Sequence, residues 1–469
     1  MSKPLPPRLQ GQPIIGNTLE FMRDRNGIMR RGFQELGPIF SLKIAGKNMV
    51  IIGSNEAQET FFTKTDDALR MDKAYQPLRA MFGDIAFTAS PQVYDAQRHI
   101  LHAPFKGGKM PGYVKIMQLE IQQWLDSLGE SGEIDLALAL APIVQNVAGH
   151  AIMGREFRQR MGREFWDLYA DLNKGMDMIF PPNWPLPKFR KRDEAKAKMR
   201  EILKPIIQER RTSTVEHDDM LQDFATATYK DGTAVDDETI IGLITALMFA
   251  GHETTVGQAA WTVVELLRHP DYQQRVQAEI TQHLPFGKPI DVQTLAALEH
   301  VRWAVDETTR LHPSADMLAR YVEKEIEVDG YRIPAGWVAF LTSAIAHHLP
   351  EVFDQPEAYD PLRFSPERAE DQKHRFTIMG FGGGKHKCTG MNFANNEMMV
   401  ITSLLMQQFE LELANPNPVT TYSIGASRPE KAIIRYKRKA NLEVIPAEVV
   451  AQAVAAGCPH FTKAPEAVN

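Results

Sequence analysis

Cysteine is nearly missing from this chain. It has two, Cys388 and Cys458, too few for a disulfide framework or for an iron–sulfur cluster, and a reducing, cytoplasmic compartment is the expected setting. Positive charge is not in excess. The 53 Lys and Arg against 59 Asp and Glu leave a formal net charge of −6, which argues against a nucleic-acid binder. The amino-terminal MSKPLPPRLQGQPIIGN has neither the apolar core nor the cleavage pattern of a signal peptide. The central apolar run, Thr239 to Gly251, ends after 13 residues, whereas a membrane-spanning helix needs about 20, so no transmembrane segment is expected. A P-loop, a dinucleotide-binding fingerprint and internal repeats are also absent. What is present, 43% hydrophobic and 24% charged residues over 469 positions, is the balance of a soluble globular protein.

Pro4, Pro6, Pro7 and Pro13 hold the first 13 residues extended. A helical pattern follows from Asn17 to Glu35. Ile39 to Ile52 places two apolar runs around Ala45-Gly46-Lys47-Asn48 and reads as a β-hairpin. Most of the remainder has helical period, with breaks near Pro104–Gly112, Pro181–Pro187 and Asp231–Gly232. Short β signals recur at Glu323–Val338, around the turn dipeptide Asp329-Gly330, and at Ala432–Val444. The fold class is therefore mainly α with a small β region. One catalytic domain over residues 1–445 is expected, followed by an Ala- and Pro-rich flexible tail, 446–469.

Two stretches carry chemistry. Asp236 to about Arg268 reads as one helix about 48 Å long, apolar on most faces and so buried. Yet it carries His252, Glu253, Thr254 and Thr255 at its centre, where polar groups are costly unless paired or used. The second stretch is Phe381-Gly382-Gly383-Gly384-Lys385-His386-Lys387-Cys388-Thr389-Gly390, followed by a helical pattern from Met391 to Gln408. The glycines allow a tight loop. A cysteine at a helix start beside Lys385, His386 and Lys387 is expected to have a lowered pKa and to act as a thiolate, either a metal ligand or a nucleophile.

This second stretch resembles the haem-binding loop of the cytochrome P-450 family, F-x-x-G-x-x-x-C-x-G. The resemblance makes Cys388 the axial ligand of haem iron, with haem b as cofactor; thiolate ligation in this family is a general property of its haem chemistry. Most members carry Arg where this chain has His386, and histidine there is similar to the sterol 14α-demethylase branch; His386 would bond a haem propionate. Ala250-Gly251-His252-Glu253-Thr254 looks like the family's oxygen-activation motif. Gly251 leaves room against the helix, Thr254 would bond back to the Ala250 carbonyl, and Glu253 would feed protons through water. Glu307-Thr308-Thr309-Arg310 puts Glu307 and Arg310 on one helix face, a pattern common by chance. With Arg363 in Pro361-Leu362-Arg363-Phe364, it resembles the family's structural Glu–Arg–Arg network. The order and spacing of all four motifs match the family, and similarity runs from Pro13 through about Arg438.

Residues Ala74 to Ser90 resemble the early signature of sterol 14α-demethylases through Tyr75 and Phe82-Gly83. That likeness places Leu78, Phe82 and Ala250 against substrate and gives Tyr75, Arg98, His102 and Arg320 to the propionates, since buried carboxylates need partners. Pro77, Ala86 and Glu253 depart from the branch, which usually has two histidines where this chain has His252-Glu253. Phe165, Trp166, Tyr169, Met176, Met178, Ile179, Phe180 and Trp184, around a proline-rich bend, suggest a lid over an apolar pocket.

The resemblance implies a monooxygenase that inserts one oxygen atom from O2 into a lipophilic substrate, in the manner of a sterol or triterpenoid 14α-demethylase. Electrons would come from a ferredoxin with its reductase, or from a flavodoxin, docking near Lys385 and Lys387. The alternatives are a hydroxylase of fatty acids or other small lipophiles, a haem protein that binds ligands without turnover, and a haem isomerase or peroxide-driven oxygenase. Retention of Glu253 and Thr254 opposes the last two. Gly457-Cys458-Pro459-His460 makes a poor metal site.

Overall fold

The computed structural model describes residues 3–440, apart from 161, 178–179, 216 and 424–425. Cys458 and the expected tail, 446–469, lie outside the described residues, as do Met178 and Ile179.

The central helix runs Asp237–Arg268, 32 residues. Asp236 caps it by accepting from Thr239 N at 2.9 Å, and Asp237 and Glu238 sit in its first turn, where the helix dipole favours acids. Its end coincides with His269, before Pro270, which cannot continue the hydrogen-bond ladder. The helix packs on Leu136–Met153, on Met391–Gln408 and on Glu299–Leu311, and together they form the main hydrophobic core. Leu136–Met153 and Asp237–Arg268 are long and apolar enough to cross a membrane by composition, but 61% and 67% of those windows are buried in the core, and that burial accounts for the apolarity.

The β region lies apart in sequence. A five-stranded sheet orders Ile39–Ile44, Lys47–Ile52, Val338–Thr342, Met317–Val322 and Leu69–Arg70. Its first hairpin turns at Ala45 and Gly46, φ 47° and 79°, the pair of positive values that a tight primed turn demands. Ile326–Val328 and Tyr331–Ile333 form a separate hairpin at Asp329-Gly330. Ile433–Arg438 pairs with both Ser131–Asp135 and Phe409–Leu413.

The single helix read from Asn17 to Glu35 is two, Thr18–Arg23 and Arg25–Leu36. Asp24 adopts φ −151° and its side chain accepts from Gly27 N, so it caps the second helix instead of continuing the first. Arg25 then forms an ion pair with buried Asp316 and stacks on the Tyr422 ring, 3.5 Å from its centroid. The lid segment also differs from its sequence reading. Phe165 and Tyr169 are buried in the main core, Tyr169 donating to the Met248 carbonyl, while Phe180 and Trp184 pair with each other at the surface, 43% and 50% exposed.

Candidate active site

The glycine loop folds back on itself. Gly382 and Gly384 have φ of 67° and 64°, and Cys388 N donates to Phe381 O at 2.8 Å. A methyl group on Gly383 would stand 2.8 Å from the Phe376 ring and 3.0 Å from Phe62, so the loop packs tightly on its outer side. Cys388 itself is reachable by water yet surrounded by protein, as a side chain facing an internal cavity must be. Here the sequence-based expectation of a lowered pKa is corrected. Burial pushes the Cys388 thiol up, and the Gly390 N–H and the Lys387 charge only partly counter it. The helix begins at Met391, with Gly390 as its cap, so Cys388 precedes the helix. Lys385 is spent elsewhere, on Asp66 at 3.0 Å and Asp95 at 2.7 Å.

On the central helix, Ala250 is exposed although its neighbours along the helix are buried or half-buried, and a methyl group added to Gly251 would meet nothing within 4 Å. This stretch therefore faces open space inside the protein. Thr254 Oγ1 donates to the Ala250 carbonyl, and the Thr254 carbonyl accepts from Ser314 Oγ at 2.8 Å. Glu253 Oε1 lies 3.4 Å from His252 Nδ1 and Oε2 lies 3.6 Å from Arg428 Nη1. His252 Nε2 is 3.1 Å from the Ala141 carbonyl, and burial holds the ring below its ordinary pKa. His252 is thus a neutral imidazole that donates to Ala141 and keeps Nδ1 bare toward the carboxyl.

A group of basic and hydrogen-bonding side chains, Arg320, His102, Arg98, Tyr75 and His386, has capacity left for further acceptors. Arg320 is 3% exposed; Nε donates to Thr65 Oγ1 at 3.1 Å and Nη1 to its neighbour's carbonyl, and burial lowers its pKa. His102 has a buried Nε2 with no partner, and burial followed by the Arg98 charge lowers its pKa. Arg98 lies on the same helix, Pro91–His102, and is exposed. Tyr75 Oη accepts from Ala319 N at 3.1 Å, beside Arg320. His386 Nε2 lies 2.9 Å from Asp66 Oδ2, which leaves Nδ1 for another acceptor. Burial opposes ionisation of Asp66, but His386 and Lys385 outweigh it and hold the carboxyl below its usual range.

Glu307, Arg310 and Arg363 meet with no exposure at all. Arg310 grips Glu307 through two bonds of 2.7 and 2.8 Å, and Arg363 Nε donates to Glu307 Oε1 at 3.0 Å. Both guanidiniums spend their remaining N–H groups on carbonyls of residues 347–358 and, for Arg363, on Glu370. His347 was invisible to sequence reasoning, having no motif around it. It links this network to the segment leading into the cysteine loop: Nδ1 donates to Arg310 O at 2.7 Å and Nε2 accepts from Met379 N at 2.8 Å. Burial lowers its pKa to about 3, so the folded state refuses a proton that the unfolded chain accepts. Its stabilisation is complete above pH ~6.5 and is lost on acidification, by about 1.4 kcal/mol per pH unit between ~6.5 and ~3. Urea melts from pH 7 down to pH 5 should show this slope in wild type and a slope smaller by one proton in His347→Gln.

The family model for cytochrome P450 matches residues 6–434. The chain belongs to the cytochrome P450 family. It is 32% identical over 447 residues to a sterol 14α-demethylase of Mycolicibacterium vanbaalenii, covering 92% of this chain and 98% of that protein. It is also 32% identical to a sterol 14-demethylase of Arabidopsis thaliana, covering 93% and 92%. The retinoic acid-bound cyanobacterial CYP120A1 superposes with a TM-score of 0.84 at 25% identity over 94% of this chain and 100% of that one. This P450 is a haem-thiolate monooxygenase that takes electrons from redox partners and acts with O2 on lipophilic substrates. The residues present fit a haem. A cysteine faces an internal cavity, a glycine on the central helix opens on empty space, and Arg320 and the orphaned His102 nitrogen lack the acceptors that a dicarboxylate would bring.

Proposed function

We propose that this P450 oxidises a large, rigid, mostly apolar molecule, a sterol or triterpenoid first, in a 14α-demethylase-like reaction. The observation that carries this reading is the end-to-end likeness to named sterol demethylases of a bacterium and a plant. Tyr75, Phe82-Gly83 and His386 support it. The haem, proposed to be haem b, supplies oxygen reduction and insertion. In this reading Cys388 holds the iron, Arg98, His102, Arg320 and Tyr75 hold the carboxylates, and His386 adds its free nitrogen. Leu78, Phe82 and Ala250 shape the substrate cavity, where apolar burial at roughly 25 cal/mol per Å² dominates binding. Glu307, Arg310 and Arg363 hold the loop's foundation. One catalytic unit spans residues 1–445. A ferredoxin or flavodoxin delivers electrons near exposed Lys387, in a cytoplasmic setting.

Thr254 and Glu253 are the proton-handling pair. The Thr254 hydroxyl, held on the Ala250 carbonyl, presents its own oxygen to the cavity, and Glu253 stands beside the bare His252 Nδ1 at 3.4 Å with Arg428 as its cation at 3.6 Å. Thr254→Ala should keep haem and substrate binding while product formation falls by about 10²–10⁴-fold and electrons go to peroxide. Product per electron equal to wild type would sink the assignment. Glu253, standing where the sterol branch usually has histidine, favours a second reading, hydroxylation of a different lipophile. The CYP120A1 neighbour, solved with retinoic acid, illustrates one such ligand. Titration with 14α-methyl sterols, other steroids and long-chain fatty acids, read by the haem spin state and followed by product analysis with a ferredoxin system, separates the two. Turnover of fatty acids alone would overturn the sterol reading and leave the monooxygenase.

A further inference from the structure

We propose that the lipophilic substrate carries a carboxylate at the end remote from the reacting carbon, and that Lys196 anchors it. This rests on the reading above only in taking the substrate to be lipophilic and to lie along the central helix. A cavity of about 200 Å³ opens beside the amino-terminal half of that helix, large enough for one end of a ligand. Its walls are mostly apolar, with Phe82, Ile85, Leu172, Met199 and Ile241, and the charged groups among them are Asp84, Glu238 and Lys196. Phe82 ties it to the active site, because its ring packs on Phe249 at 5.1 Å, next to Ala250. Thr239 and Thr245 mark its extent along the helix, eleven and five residues before Ala250. That is roughly 16 and 8 Å along the axis, a span suited to a long, rigid molecule.

Charge bookkeeping around the cavity leaves one cation over. Asp84 is paired with Arg79 at 2.9 Å, Glu238 with Arg200 at 2.6 Å, and Asp193 with Arg192 at 2.8 Å. Each acid near Lys196 thus already has an arginine. Lys196 has no carboxylate within ion-pair distance among the described residues, and its Nζ donates to the Ala80 carbonyl at 3.1 Å. It lines the cavity and is half-buried, and desolvation holds its pKa below the ordinary value, as an ammonium lacking a counter-ion requires. With the two lining acids, Asp84 and Glu238, already held by arginines, a desolvated ammonium is costly to leave so. A carboxylate entering with an apolar body behind it would form a charge-assisted bond there, while the body covers the walls.

The test uses the haem-loaded enzyme with cholestenoic acid, its methyl ester and cholesterol, and binding is read both by the spin-state change and by equilibrium dialysis. Wild type should bind the acid about tenfold more tightly than the ester, water on the open side of Lys196 limiting the gain. Lys196→Gln should bind acid and ester alike, and Lys196→Arg should keep the preference. A carbon monoxide spectrum unchanged in both variants verifies their folding. Equal binding of acid and ester by wild type, or an acid preference that survives in Lys196→Gln, overturns the proposal. If cholestenoic acid fails to bind but palmitic acid is preferred over methyl palmitate in a Lys196-dependent way, the anchor stands and the sterol reading falls.

Discussion

Reduced Cys388→Ala protein exposed to carbon monoxide is expected to lack the red-shifted Soret band of thiolate-ligated haem, and to lose monooxygenase activity. Of its neighbours in the loop, His386 is held by Asp66 through Nε2, and Lys385 by Asp66 and Asp95. The buried thiol has a raised pKa in the bare protein, so its ionisation belongs to metal binding, where coordination removes the proton outright. Alanine removes the ligand while the Phe381 and Gly384 turns, made by backbone bonds, persist. Cys458→Ala should leave the spectrum unchanged. A normal thiolate band in Cys388→Ala would refute the assignment.

Arg310→Ala should cost about 3–5 kcal/mol, because it strands Glu307 as a buried charge without its bidentate partner. The carbonyls of His347 and Pro356 lose their donor as well, and that of Ala358 keeps only Arg363. The expected result is a urea midpoint far below wild type and a low haem-to-protein ratio. An internal control exists at the surface. Arg435, 56% exposed, pairs with Glu133 at 3.2 Å and Glu412 at 3.3 Å, and Arg435→Ala should cost under about 1 kcal/mol. Equal losses in the two variants, or a wild-type midpoint in Arg310→Ala, would mean that the buried network contributes no more than a surface pair.

Elements whose signals are local were legible in the sequence. Asp236 and the apolar run after it announce the central helix, Met391–Gln408 follows its loop, and Ala45-Gly46 announces the first hairpin. Chain-distant information was not legible. Met317–Val322 is a strand because Val338–Thr342 and Leu69–Arg70 flank it, and its own residues do not alternate clearly. The helix break at Asp24 depended on its side chain competing for Gly27 N. Within the site, the motifs located Cys388, Thr254 and Glu307. They did not reveal that Asp66 would absorb Lys385 and His386, that Ser314 and Arg428 would reach Thr254 and Glu253, or that His347 would join Arg310 to Met379. Each depends on a partner tens to hundreds of residues away. The thiol pKa failed for the same reason: cations adjacent in sequence were outweighed by burial, which only the fold supplies.

The mixed sheet has a consequence for how the chain is made. Lys47–Ile52 pairs in parallel with Val338–Thr342, and Arg25 meets Asp316, 291 residues away. At about 5–20 residues per second, the ribosome leaves that early hairpin waiting roughly 15–60 s for its neighbour. Met49, Val50, Ile51 and Ile52, all buried in the finished protein, form an open, apolar strand edge throughout that interval, the kind of surface that pairs with other nascent chains. Lower growth temperature and abundant chaperone are therefore expected to raise the yield of folded protein.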